Sequence, residues 1–143
     1  MVDAVVIDSN LFVPALLKAE TAPRIVLRLC LENQIRPLMG NALLNEFEIL
    51  LERDNIFKKS CLSARERQVF LDDFLSQCKW VNVYYLWRPN FRDEADNHVV
   101  ELAVAGGATH IITGDIKDFK DSELTFPQLK IITAREYIEE RKL

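Results

Sequence analysis

Five short apolar, β-rich runs recur along the chain, and stretches of helical periodicity separate them. They fall at 4–7, 35–39, 81–86, 110–113 and 130–132. The first, Ala4-Val5-Val6-Ile7, stops abruptly at Asp8, as buried parallel strands do. Helices are expected at about 11–17, 24–32, 41–53, 63–79, 96–105 and 134–143. Pro23 suits the first turn of the second, Ser63 and Glu66 make a capping box for the fourth, and Gly106-Gly107 stops the fifth. Arg88-Pro89-Asn90 reads as a turn. Strands that alternate with helices throughout require a parallel sheet covered on both faces.

No repeat, low-complexity tract or Pro/Gly/Ser linker divides the 143 residues, so residues 1–143 are read as one domain. With 49% hydrophobic and 28% charged residues, the composition excludes a disordered or collagen-like chain. No apolar run approaches the ~20 residues of a membrane span. Asp3 and Asp8 sit where a signal peptide would be basic and then apolar. The three cysteines, Cys30, Cys61 and Cys78, are odd in number and widely spaced. They fit reduced, buried thiols of a cytoplasmic protein. The net charge of −4 argues against a generic nucleic-acid binder, unless the acids are gathered in one pocket.

In open α/β sheets, ligands bind outside the carboxyl ends of the strands. Asp8 stands at the end of the first strand and Asp115 just after the fourth. Helices that lead from one parallel strand to the next begin at the same edge, which brings Glu46 and Asp96 there too. At 100° per residue, Glu46 falls inside the apolar arc of its helix, between Ala42 and Leu50. Ile49 and Ala42 border that arc, while Asn45, Glu48 and Glu52 form the polar face. Asp96 likewise lies one turn before Val99 and Val100. A carboxylate on a packing face needs a partner, because an unpaired buried charge is costly.

Each acid also has a purely structural reading. Asp8-Ser9-Asn10, Asp93 or Asp96 can cap helices, Glu46 can pair with one arginine, and Thr113-Gly114-Asp115 can be a turn with glycine at positive φ. The case for a site rests on four acids from four segments reaching one edge. Carboxylates packed together repel unless a cation joins them, and an oxygen-only set suits Mg²⁺ or Mn²⁺ rather than zinc. Such an ion suggests phosphate chemistry.

These segments resemble those of PIN-domain nucleases. Val6-Ile7-Asp8-Ser9-Asn10 is similar to the family's opening D-[ST]-N segment, and the Glu46 helix to its second acidic element. The stretch from Arg92 to Ala108 resembles the third, and Ile111 to Phe119 the fourth and most specific. The branch it most resembles is that of the VapC-type toxin ribonucleases. The resemblance implies a PIN-like three-layer α/β/α sandwich with a mainly parallel sheet of about five strands. It implies Mg²⁺- or Mn²⁺-dependent cleavage of RNA, a cognate antitoxin protein and frequent homodimerisation.

Position by position, Asp8, Glu46, Asp96 and Asp115 match the four acids, with Asp8, Asp96 and Asp115 as metal ligands. Ser9, Asn10, Asp93, Thr113 and Asp118 match accessory positions. The chain departs from the branch around Asp93, with Ala95, Asn97 and His98 where a denser acidic run and a lysine are common. His98 either replaces that lysine or, the favoured reading, is an ordinary, partly exposed histidine. Without these six carboxylates, 16 acidic residues face 18 basic ones. Arg53, Lys58, Lys59, Arg65, Arg67, Lys117 and Lys120 are candidate RNA-backbone contacts. Tyr84, Tyr85, Trp87 and Phe91 are candidates for base stacking or packing.

The leading expectation is therefore a metal-dependent endoribonuclease, the toxin of a toxin–antitoxin pair. The alternatives are a non-catalytic PIN-like RNA- or protein-binding module and a PIN ribonuclease of RNA processing. A haloacid-dehalogenase-type phosphatase ranks below these, because position 10 is Asn10 where a second aspartate is needed.

Overall fold

The computed structural model describes residues 2–18, 21–53, 63–82, 94–114 and 129–141, with residues 94–97 described in their backbone only. Five strands form one wholly parallel sheet: β1 (Asp3–Ile7), β2 (Ile35–Met39), β3 (Lys79–Trp80), β4 (His110–Ile112) and β5 (Lys130–Ile132). Their order is β3-β2-β1-β4-β5. Val5, Val6 and Ile7 of the central β1 are all buried, so both faces of the sheet are covered. The result is the expected three-layer α/β/α sandwich with a five-stranded parallel sheet.

A 3₁₀ turn (Ser9–Leu11) leads from β1 into α1 (Phe12–Leu17), and α2 (Ala22–Leu31), α3 (Asn41–Leu51) and α4 (Ala64–Gln77) follow. Then come α5 (Glu94–Gly106) and α6 (Ala134–Arg141). The anticipated capping box opens α4: Ser63 Oγ accepts from the Glu66 amide, and Glu66 accepts from the Ser63 amide. Gly107, at φ +69°, ends α5, with the Ala108 amide donating to the Ala103 carbonyl at 2.8 Å. This is the Schellman arrangement, which needs a left-handed residue at that point.

Phe12 holds three helices together. Its ring packs edge-on against Phe47 of α3 and Phe74 of α4, with centroids 4.9 and 5.4 Å away. This aromatic cluster sets the rotation of α3 and hence the position of Glu46, the residue before Phe47. At the opposite edge of the sheet, Tyr137 of α6 donates to Asp3 at 3.0 Å, and His110 contacts Glu140 at 3.1 Å. Burial pushes the Tyr137 hydroxyl up to about 12.

Two expectations need correction here. The third strand is Lys79–Trp80, and Val81 and Asn82, which open the expected run, lie beyond it. Among the described residues it pairs with β2, through Leu38 and Met39, and the Val81 amide donates to the Met39 carbonyl. The rest of that run, the 88–90 turn, the four candidate aromatics and Cys61 lie outside the described residues. Arg67 is buried rather than available to RNA, and its Nε donates to the Leu51 carbonyl at the end of α3 at 3.1 Å. There it satisfies one of the carbonyls that a helix end leaves open.

Gly106 marks a close approach. A Cβ there would stand 2.5 Å from Leu38 Cδ1 and 3.1 Å from Val81 Cγ2. Helix propensity favours alanine by up to ~1 kcal/mol, whereas overpacking costs ~1–3 kcal/mol. Gly106→Ala is expected to lose about 1 kcal/mol net, read as a lower denaturant midpoint at unchanged slope. A midpoint at or above the parent's would show that Leu38 yields without strain.

Candidate active site

In this strand order, β1 connects to β2 on one side and pairs with β4 on the other. The crevice between the carboxyl ends of β1 and β4 is thus the point where the order reverses, the usual ligand position in such sheets. Asp8 occupies it. Its amide donates to the Ile112 carbonyl at 3.0 Å, which continues the β1–β4 ladder into the site. Its side chain is buried and accepts from Thr113 Oγ1 at 2.8 Å. Asn10 spans the same two loops: its Nδ2 donates to Thr113 Oγ1 at 3.4 Å, and its Oδ1 accepts from the Gly114 amide at 3.2 Å.

These bonds weaken the structural readings of the same residues. Asp8 precedes the 3₁₀ turn but makes no side-chain cap bond. Gly114 does not adopt positive φ. Asp96 is the third residue of α5 and so is not its N-cap, since the helix starts two residues earlier than expected.

Glu46 reaches the site from α3. It is the anticipated inward-facing acid, but it stands on the rim of the packed face. Leu43, Phe47 and Leu51 are buried, whereas Ala42 and Ile49, counted in the apolar arc, are exposed. The partner of Glu46 is His98 of α5, with Nε2 at 2.8 Å from Oε1 and side-chain exposures of 16% and 31% for the two. A carboxylate can only accept, so Nε2 carries the proton. Nδ1 is buried and has no hydrogen-bond partner among the described residues. His98 is therefore a constituent of the site rather than an ordinary partly exposed histidine. The lysine expected at its position was the one sequence signal that could have found it.

Burial raises the Asp8 carboxyl pKa, and the charge of Glu46 adds to the rise. The Thr113 hydroxyl, the Ser9 amide and His98 oppose it. Two repelling carboxylates with oxygen donors, one of them desolvated, fit a hard divalent cation. Among the described residues, no three acids, histidines or cysteines converge as a metal centre. Asp93, Asp115 and Asp118 lie outside the described residues, and Asp96 is placed only by its backbone, two residues before His98.

The sign of the Asp8 effect follows from its raised pKa. Its contribution to stability is complete below the ordinary carboxylate value and fades as pH rises through the higher folded value. In chelator, the stability of the parent relative to Asp8→Asn is expected to fall as pH rises above about 4 and to level off once the folded carboxyl has ionised. A pH-independent difference in urea midpoints would contradict it.

Ser9, Asn10 and Glu46 also line an open cleft of about 460 Å³, completed by Val13, Ile49, Leu50 and Arg53. Among the described residues, no helix is long and apolar enough to cross a membrane.

A model of the PIN domain matches residues 4–117. The chain belongs to the PIN domain family. PIN domains are nucleases, which generally use divalent metal ions. No curated protein matches the chain. Among solved structures, this PIN domain is similar to a chain of VapBC2 from Rickettsia felis, crystallised bound to a DNA fragment from their promoter. The TM-score is 0.58 at 20% identity, covering 90% of this chain and 96% of the other. At that identity the likeness speaks for the fold.

Proposed function

We propose that this PIN domain is a metal-dependent endoribonuclease and the toxin of a toxin–antitoxin pair. The observation that carries the catalytic part is Asp8, buried where the strand order reverses, with the charge of Glu46 within reach. Resemblance supplies the remaining acids. Asp8, Asp96 and Asp115 would hold Mg²⁺ or Mn²⁺, with Asp93 and Asp118 as accessory acids. Bound there, the ion would polarise a phosphoryl oxygen and acidify a water for attack on phosphorus.

The chain's own groups have definite tasks. Thr113 holds the Asp8 carboxylate at the end of β1, Asn10 holds the Thr113 hydroxyl, and Ser9 adds its amide to Asp8. Glu46 orients the site and helps position the attacking water, and His98 fixes the Glu46 carboxylate. The likeness to a VapBC2 chain supports the toxin branch and a cognate antitoxin as partner. The reading takes residues 1–143 as one domain.

The test is cleavage of single-stranded RNA by purified protein with Mg²⁺, Mn²⁺ or chelator. Metal-dependent products with a 3′-hydroxyl are expected, and cutting should persist where the 2′-hydroxyl at the cut site is removed. Products that end in 2′,3′-cyclic phosphate would overturn the mechanism. For the toxin label, a neighbouring small reading frame for a DNA-binding protein is the expected companion.

A further inference from the structure

α3 presents three kinds of chemistry along the cleft: the Glu46 carboxylate, the Ile49 and Leu50 side chains one turn on, and the Arg53 guanidinium just past the helix end. Val13 of α1 adds a further apolar wall. Ile49 is 45% exposed, although it stands a single turn from the acidic site. Among the described residues, no carboxylate pairs with Arg53. The volume of about 460 Å³ lies within the ~300–1,000 Å³ of small-molecule sites.

We infer that this cleft is a nucleotide subsite, taking one unpaired base against Val13, Ile49 and Leu50 and the phosphate beyond it at Arg53. The inference rests on the ribonuclease reading. Two observations argue for a nucleotide. The cleft shares Ser9, Asn10 and Glu46 with the acidic site, so its occupant is continuous with the bond that reacts. Its apolar wall and the Arg53 guanidinium also match an uncharged base followed by an anionic group.

At 1.5 Å per residue, Glu46 and Arg53 are about 10 Å apart along the helix. Arg53 therefore meets a phosphate other than the reacting one. A base in a duplex is stacked on its neighbours and cannot enter, so the subsite selects unpaired RNA. The wall is aliphatic and offers few hydrogen bonds, so it binds a base without strong discrimination among the four.

The experiment is a cycle between protein and RNA. Cleavage of an oligonucleotide with one defined cut is measured for the parent, Ile49→Asp, Ile49→Ala and Arg53→Gln. The same RNA is then used with the base removed from each nucleotide flanking the cut. Base removal on one side should lower the parent's kcat/KM roughly tenfold, the scale of one lost base contact. Ile49→Asp should cost about as much on intact RNA, through KM, and nothing further on the abasic RNA. Ile49→Ala should fall between the two. Arg53→Gln should lower the slope of log affinity against log salt by about one.

Independent, multiplying losses from base removal and Ile49→Asp would overturn the subsite. A change in sedimentation mass with Ile49→Asp would also overturn it, assigning the face to a second copy. Loss of binding only to a protein partner would do the same. The ribonuclease reading fails separately, if the parent shows no metal-dependent cleavage or Asp8→Asn cleaves as the parent does. Ile49 is exposed, so its replacement leaves the core intact, and unchanged melting of both Ile49 variants checks this.

Discussion

Asp8→Asn is expected to lower metal-dependent RNA cleavage at least ~1,000-fold while the protein still folds. Removing one carboxylate oxygen from the centre of the site costs several kcal/mol of the charge stabilisation a bound cation supplies, and each 1.36 kcal/mol is a factor of ten. The fold survives because the Asn carbonyl can still accept the Thr113 hydroxyl and because the substitution removes a desolvated charge that Glu46 repels. Two readouts separate site from scaffold. Millimolar Mg²⁺ or Mn²⁺ should raise the melting temperature of the parent, since the ion binds only the folded chain, and should leave that of Asp8→Asn nearly unmoved. Equal metal-induced shifts in both proteins would place the ion elsewhere.

The second large effect separates two glutamates on one helix. Glu46→Gln is expected to reduce the cleavage rate at least ~100-fold at saturating Mn²⁺, the scale for loss of a positioned group. Glu48→Gln should remain within a few-fold. Glu46 is half-buried and held by His98 of α5, whereas Glu48 points to solvent. Removing the solvated Glu48 charge costs within about half a kcal/mol, and the amide oxygen of Glu46→Gln can still accept from His98, so both variants should melt as cooperatively as the parent. Equal losses in the two, or a larger one at Glu48, would mean that α3 is rotated from the phase that its Phe47 contact with Phe12 sets.

How far these features were legible depends on what sets them. The strand–helix alternation, the Ser63 capping box and the Gly106-Gly107 stop are local, and the structure reproduces them. The placement of Asp8 follows from strand order and was readable too. Properties that depend on a neighbouring element were not. A helical wheel counts polarity but not neighbours, so it enclosed Ala42 and Ile49 in an apolar arc that the fold leaves open. The third strand opens at Lys79 and Trp80, alongside Leu38 and Met39 of β2 and two residues before the run that its composition marked.

Arg67 looked like a solvated charge, yet it shares one helical face with the buried Leu71 and Phe74. That spacing could have revealed it. The bond between His98 and Glu46 joins residues 52 apart, and no local pattern encodes such a pairing.

The β1–β4 junction has a consequence for the order of events during synthesis. The hydroxyl that holds Asp8 belongs to a residue made 105 positions later. β1 can pair with β2 once residue 37 is available, whereas its other neighbour begins at His110. Contacts that span such separations form only after a large loop-closure cost is met. At roughly 5–20 residues per second, the growing chain carries an unassembled acidic edge for several seconds. A product of interrupted translation that ends before Thr113 would therefore carry Asp8 and Glu46 without the strand that organises them. The bond that holds Asp8 in the β1–β4 crevice forms only once Thr113 has been made.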